Sequence, residues 1–532
     1  MEMILLKTKK TVLLTCFILV IPLLIGMYYQ FAHSPTPYEQ SFDESESDLI
    51  TIGQAREIAI TYLEDGEIQT IEWISDTPSR YRVFMTHEGY SYGFYIDGRS
   101  GEVSFFEPAM TMLESFPTIH IQTFGHVEPF YERNLWIDSI FTLEDFDPLA
   151  NSIPTPGRIR GRGTSTWNMM PDKRPLRLQF ERAQPFFGEE SAANDWILLA
   201  DHSDMSLLRN YSALHLSGQL DSLAWTPSAR SIHLYVNDEY MGVYLLTEER
   251  TLAHQHMELS SHTDPTISEY FFEMEWRADR DDGVEGVDFI RVNSHPDGIL
   301  GDSSAEAGFN RDYLYEIIYP YDDLLAEEHF DYLQTFMTEV GVLIRERDFE
   351  AISQRVDLDS LIDFYLVQEL YMNLDVGFSS VFLQIRGEGE NRRLYHGPVW
   401  DFDLAVGNAY WISTEGQTPF GGLYVAERHY WYWYLMHTPE FVELLADRWN
   451  NIVRDEALLM ISHIERLASL RQEDFERNFQ RHDILGASRW PNPEHISDIQ
   501  TFDGQVDFLT EFLTDRVHYL DDIFNGERPM WR

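Results

Sequence analysis

The sequence predicts an α+β protein built in two lobes, a β-rich N-lobe followed by an α-rich C-lobe. A membrane-spanning helix and a small α+β module precede them. Three observations lead there. An uncharged apolar run opens the chain, alternating strand patterns dominate residues 115–300, and helical periodicity dominates 310–373 and 430–525. At 532 residues the chain exceeds one ordinary core, so two to four domains are expected.

Lys7, Lys9 and Lys10 precede an uncharged run over 11–29, 19 residues long. As a helix it would measure about 28 Å, which suits a bilayer core. Residues 1–30 are therefore expected to anchor the chain, with the positive flank in the cytoplasm and the remainder outside, at the cell surface. The rival reading is a cleaved signal peptide. Residues 31–48 are acidic and rich in Pro and Ser, as a linker is. Over 49–108, Ile52, Ala55, Ile58, Ala59 and Tyr62 keep helical spacing. Alternating stretches at 81–85 and 92–96 follow, then turn signals at Asp97-Gly98 and Gly101.

Residues 1–30 contain three Lys and one acid, Glu2. The other 502 residues carry 36 basic and 88 acidic side chains, a net charge of −52. Such a field repels nucleic acid, so no nucleic-acid partner is expected. A single cysteine, Cys16, excludes an internal disulfide and a cysteine metal site. Of the 36 cations, 35 are Arg and one is Lys173. Arg keeps its charge where Lys titrates, which suggests an alkaline or saline habitat.

Seven of those cations fall within 158–182: Arg158, Arg160, Arg162, Lys173, Arg174, Arg177 and Arg182. Ion pairing with nearby acids is the plain explanation for any one of them. Together with Gly161, Gly163 and Thr164-Ser165-Thr166, however, they form a segment in which backbone N–H groups, hydroxyls and guanidinium forks can hold phosphate oxygens. Lys173 adds a compact point charge. The acidic counterpart is Val399-Trp400-Asp401-Phe402-Asp403. An extended backbone would point Asp401 and Asp403 to one side, where they can hold Mg²⁺ or Mn²⁺ through oxygen. Asp401-Phe402-Asp403 has the shape of the Asp-Phe-Gly metal motif of protein kinases, with Asp in place of Gly. Asp375 lies 26 residues upstream.

Five segments in order carry a resemblance: "GRIRGRGTSTWNMMPDKRPLRLQF" (157–180), "DWILLADHSDMSLLRN" (195–210), "IHLYVNDEYMGVYLLTEE" (232–249), "DLDSLIDFYLVQELYMNLD" (357–375) and "LYHGPVWDFDLAVGN" (394–408). The chain resembles the CotH kinase family, atypical secreted protein kinases of the spore-coat protein H type. The helix and "YGFYIDGRSGEV" resemble the PepSY module. The resemblance implies an atypical protein-kinase-like domain over 110–532. It would transfer the γ-phosphoryl group of ATP to Ser or Thr of surface or spore-coat proteins. It further implies Lys173 on the phosphates with Arg160, Arg162 and Arg174 nearby. Glu248 would be the partner of that lysine or a residue of the lobe junction. Asp375 would be the catalytic carboxylate and Asp401 the metal ligand, helped by Asp403 and Asn408. The acidic surface favours a basic acceptor protein. The alternative is a catalytically inactive coat-assembly or adhesion protein, whose exposed aromatics, Trp411 and Trp431-Tyr432-Trp433-Tyr434, would stack on sugars. The pair His254 and His256 is a further, weaker metal candidate.

Overall fold

The computed structural model describes residues 50–530 apart from short stretches, of which 106–114, 293–311 and 411–421 are the longest. The expected anchor at 1–30, the linker at 31–48 and Trp411 lie outside the described residues. Among the described residues no helix is long and apolar enough to cross a membrane. The chain divides into two compact units, Met1–Met112 and Leu113–Arg532.

In the first unit, helix α1 (Ile52–Tyr62) accompanies an antiparallel sheet of β1 (Glu67–Ile74), β2 (Arg80–His87), β3 (Tyr90–Asp97) and β4 (Val103–Phe105), in that spatial order. Thr51 and Gln54 exchange hydrogen bonds between side chain and backbone, the reciprocal cap that starts a helix. Ala55 and Ala59 face Tyr81, Val83, Met85 and Ile96 across the core, while Ile52 is exposed.

The second unit begins with seven strands: β5 (Thr118–Thr123), β6 (Ile137–Glu144), β7 (Thr155–Gly161), β8 (Leu176–Gln184), β9 (Ala193–Leu199), β10 (Ala229–Val236) and β11 (Glu239–Glu248). They close into a barrel in the order β10-β11-β9-β8-β7-β6-β5. Period-two alternation turns Ile119 and Ile121, Leu176 and Leu178, Trp196 and Leu198, and Ile232 and Leu234 inward to one apolar core. Asn237 and Asp238, both at positive φ, make the tight turn that joins β10 to β11. Closure rests on a parallel pairing of β10 with β5, more than a hundred residues earlier in the chain.

A five-stranded antiparallel sheet follows: β12 (Tyr270–Met274), β13 (Phe289–Val292), β14 (Tyr313–Tyr319), β15 (Val381–Arg386) and β16 (Arg393–His396), ordered β13-β14-β12-β15-β16. Strand β14 corrects the helical reading of 310–326. Its sequence, Tyr-Leu-Tyr-Glu-Ile-Ile-Tyr, is aromatic and β-branched and fits a half-buried pleated surface. The helical stripe of Leu333, Phe336, Met337 and Val340 begins later, in a helix over Glu327–Glu346. The outward residues Ile197, Leu199 and Leu245 of the barrel pack against Phe271, Phe382 and Trp400, which joins barrel to sheet.

Helix α2 (Ser165–Met169) lies in the β7–β8 connection and α3 (Arg209–Ser217) follows β9. In the C-terminal half, α4 (Leu358–Tyr371) is buried on every side from Ser360 onward, as a continuous apolar run requires of a central helix. Helices α5 (Arg454–Leu470), α6 (Gln472–Arg481) and α7 (Phe502–Phe524) follow in this half. Of the aromatic run at 431–434, Trp431 and Tyr432 are core residues, at 2% and 1% exposure.

Candidate functional site

The basic segment does not act as one patch, because strand geometry divides it. Arg158 and Arg160 both lie over Trp136, at 4.6 and 5.0 Å from its ring centre. Arg177 pairs with Asp195 at 2.9 Å and with Glu249 at 3.4 Å. Arg174 donates to the Phe130 carbonyl and covers Trp167. Arg162 alone of the seven lines the cleft described below. Strand β7 ends at Gly161, whose missing Cβ leaves room for Trp167; a Cβ there would come within 2.1 Å of the ring. Gly163, at φ +73, then turns the chain so that Arg162 and Thr164–Thr166 face the cleft.

This cleft, about 710 Å³, lies at the junction of barrel and second sheet. Trp400 is in its lining, with Arg162 at 5.8 Å and Arg250 at 5.4 Å from its ring centre. Arg250 pairs with Glu249 and Glu273, and Arg277 with Glu275. Among the described residues, no carboxylate closes on Arg162 within ion-pair distance. Burial and the neighbouring Arg250 lower its guanidinium to about 10, so it stays cationic at neutral pH.

Asp401 and Asp403 line the same cleft. The backbone that brings them there is not the extended strand expected: residues 397–408 form an irregular loop with turns at 403–404 and 406–407, and Asp401 is at φ +66. The Asp401 carboxylate accepts from the Ser380 hydroxyl at 3.2 Å, and that of Asp403 from the Ser203 hydroxyl at 2.6 Å. Burial and then the charge of Asp401 push the Asp403 carboxyl far above its usual range. Asn408 is fully buried. Its amide donates to the carbonyls of Ser203 and Asp403 and accepts from Asn492, so it braces the loop from behind. Asp375 follows the left-handed cap of α4 at Met372. Burial and the charges of Asp401, Asp403 and Glu275 raise its carboxyl. The end of α4 is tied to the same loop: Val406 N–H donates to the Tyr371 carbonyl at 2.9 Å, and the Tyr371 and Phe402 rings meet edge-on at 5.2 Å.

Lys173 lies behind this surface rather than in it. It is 2% exposed, donates to the Val243 carbonyl and sits 4.9 Å from the centre of the Tyr244 ring. Burial drives its ammonium well below the usual lysine range, and the charges of Asp201 and Asp204 oppose that shift. Glu248 is placed elsewhere: it accepts from Ser228 N–H at 2.7 Å and lies 3.7 Å from His256. Burial raises its carboxyl to about 7, against the Ser228 hydrogen bonds. The unfolded chain thus releases this proton first, and stability falls as pH rises from about 4.5 to 7. Glu248→Gln is expected to leave stability at pH 4 unchanged and raise it by about 1–3 kcal/mol at pH 8. Urea unfolding at the two pH values checks this; an equal change at both contradicts it. His254 and His256 are taken by Tyr321 and by a stack on Trp225, and no metal-binding group of three or more His, Cys, Asp or Glu occurs among the described residues.

The structure therefore brings Arg162, Asp401 and Asp403 into one cleft with Asp375 beside it. Arg160, Arg174 and Glu248 stand apart. Four lining or supporting residues escape motif reading: Asp201, Ser203, Asn210 and Arg250. For the first three the available signal was the segment 201–210, part of the 195–210 stretch quoted above, with seven polar side chains in ten residues, all of which the fold buries. A polar run that folds inward is held by partners, and partners of that kind gather at sites.

Fold and site define a class: an α+β protein with a cleft of mixed charge between a closed barrel and a sheet covered by helices. Residues 158–520 match the family model described as CotH kinase protein, and the chain belongs to that family. Comparison with curated proteins found no match.

Proposed function

We propose that the protein is an atypical protein kinase that moves the γ-phosphoryl group of ATP to a Ser or Thr hydroxyl of a surface or coat protein. The barrel would serve as its N-lobe and the helix-rich half as its C-lobe. The observation that carries this reading is the Arg162 guanidinium, which no carboxylate among the described residues pairs with, in the same cleft as Asp401 and Asp403. A triphosphate with a divalent cation answers both charges at once.

The donor set fits Mg²⁺ or Mn²⁺. These cations take hard oxygen ligands and commonly use only one or two carboxylates, with phosphate oxygens and water completing the shell. Asp401 and Asp403 would hold the ion, which neutralises charge developing on the phosphate oxygens. Arg162 would grip phosphate oxygens in the same cleft, and the Gly163–Thr166 loop offers backbone N–H groups and hydroxyls beside it. Lys173 acts through its charge from behind Asp201. Asp375 would orient the acceptor hydroxyl and take its proton as the new oxygen–phosphorus bond forms, while the bond from the γ-phosphorus to the bridging oxygen breaks and ADP leaves. A basic acceptor suits the acidic surface, and the N-terminal helix would hold the enzyme at the membrane's outer face.

Arg162→Ala is expected to raise KM for ATP by about 10–100-fold, the weight of a charge-assisted hydrogen bond. Arg162→Lys should recover only part, because a point charge cannot make the fork. The reading is tested with the full chain, γ-labelled ATP, Mn²⁺ and a basic Ser-rich acceptor. Label on acceptor serine supports it; nucleotide binding without transfer supports a second reading. That reading is a coat-assembly protein without catalysis, and the engagement of Lys173 with the Val243 carbonyl favours it.

A further inference from the structure

Segment 201–210 joins β9 to α3, and all ten of its residues are buried. It touches the Asp401–Asn408 loop at several points. Ser203 donates to the Asp403 carboxylate at 2.6 Å. The Arg209 guanidinium reaches the carbonyls of Ala405 and Val406 at 3.1 and 3.4 Å. The most informative contact is that of Asn210, which is 5% exposed and lines the cleft. Its Nδ2 donates to Asp201 Oδ1 at 2.7 Å, and its Oδ1 accepts from Phe402 N–H at 2.7 Å. The orientation of the amide is fixed on the Phe402 side, since a backbone N–H can only donate and so must meet the amide oxygen.

The amide therefore joins two things that face the same cleft. One is the Asp201 carboxylate, held on a residue at φ +45. The other is the peptide between Asp401 and Asp403. Asp201, Asp401 and Asp403 line one cleft, where like charges repel. We infer that Asn210 is a positioning residue of the transfer centre, tying the Phe402 N–H to Asp201 so that a cation meets the Asp401 and Asp403 carboxylates already in place. The inference rests on the kinase reading above. Few residues can take this place. Leucine matches the size of asparagine without either bond, aspartate lacks the donor, and glutamine is one methylene too long.

The test uses the full chain with ADP and measures free Mn²⁺ by electron paramagnetic resonance alongside phosphate transfer. Asn210→Leu is expected to weaken Mn²⁺ binding by about 10–100-fold, the usual cost of losing an outer-shell partner. KM for ATP should stay within about 3-fold, because the Arg162 side is untouched. The exchange variant Asp201→Asn with Asn210→Asp keeps net charge and can rebuild both hydrogen bonds: the one between 201 and 210 with donor and acceptor reversed, the one from Phe402 N–H in its original direction. It should hold Mn²⁺ within about 3-fold of the parent chain. Parent-like Mn²⁺ binding by Asn210→Leu overturns the inference. So does a folded exchange variant that has lost the ion, and this second arm decides alone should Asn210→Leu fail to fold. Failure of the parent chain itself to bind Mn²⁺ with ADP would sink the kinase reading, and this inference with it.

Discussion

Asp401→Ala is expected to lower phosphate transfer by at least about 10³-fold while leaving the thermal midpoint at neutral pH no lower than that of the parent. The two halves of that expectation have different causes. Phosphoryl transfer contains little covalent work for a protein to do, so rate depends on positioning and on charge placed against the phosphate oxygens. A cation held by two carboxylates loses its seat when one is removed. Stability, in contrast, has little to lose. The only hydrogen bond to the Asp401 side chain among the described residues is the 3.2 Å one from Ser380. Its charge adds to the burial that already pushes Asp403 upward, so its removal relieves repulsion. Radiolabel transfer and a melting curve on the same preparation check both. Full activity would remove Asp401 from the mechanism, and collapse of the fold would remove the distinction between site and scaffold.

Asp204→Ala should have the opposite profile, costing about 3–5 kcal/mol of stability by urea unfolding. Asp204 and Arg209 are both fully buried and form an ion pair. Asp204 also accepts from Ser206 N–H, from the Ser206 hydroxyl and from the backbone N–H of Arg209 at the start of α3. Without the carboxylate, the guanidinium keeps, among the described residues, the Ala405 and Val406 carbonyls and the Ser206 hydroxyl in the interior. Asp204→Ala combined with Arg209→Met removes the stranded charge and should restore part of the loss. Equal stability of the single and double variants would contradict this account of the segment.

The strands and helices of this protein were largely legible because their periods are local. Ile119 and Ile121 alternate, and the Asn237-Asp238 turn announces its hairpin. The barrel was not legible, because its closure depends on β10 meeting β5 and nothing near either strand records the other. Strand β14 was hidden by the helical pattern beside it. The site was legible in part for the same reason. Asp401 and Asp403 share a short motif, and Arg162 sits in an exceptional cluster. The sequence could not say which of seven neighbouring cations faces the cleft. That is decided where β7 stops, at Gly161 against Trp167, and by the turn at Gly163. Lys173 was singled out as the lone lysine beyond the anchor region, but rarity carries no direction. Asn210 and Ser203 hold the Asp401–Asp403 loop from some 200 residues upstream, a relation that only the fold creates.

The most direct test of the central claim is a crystal structure of the protein grown with Mn²⁺ and a non-hydrolysable ATP analogue, with anomalous data collected at the manganese edge. The account predicts an anomalous peak at the carboxylates of Asp401 and Asp403, with the phosphate chain reaching the Arg162 guanidinium. Nucleotide bound with its phosphates away from Arg162, or manganese at other carboxylates, would contradict it.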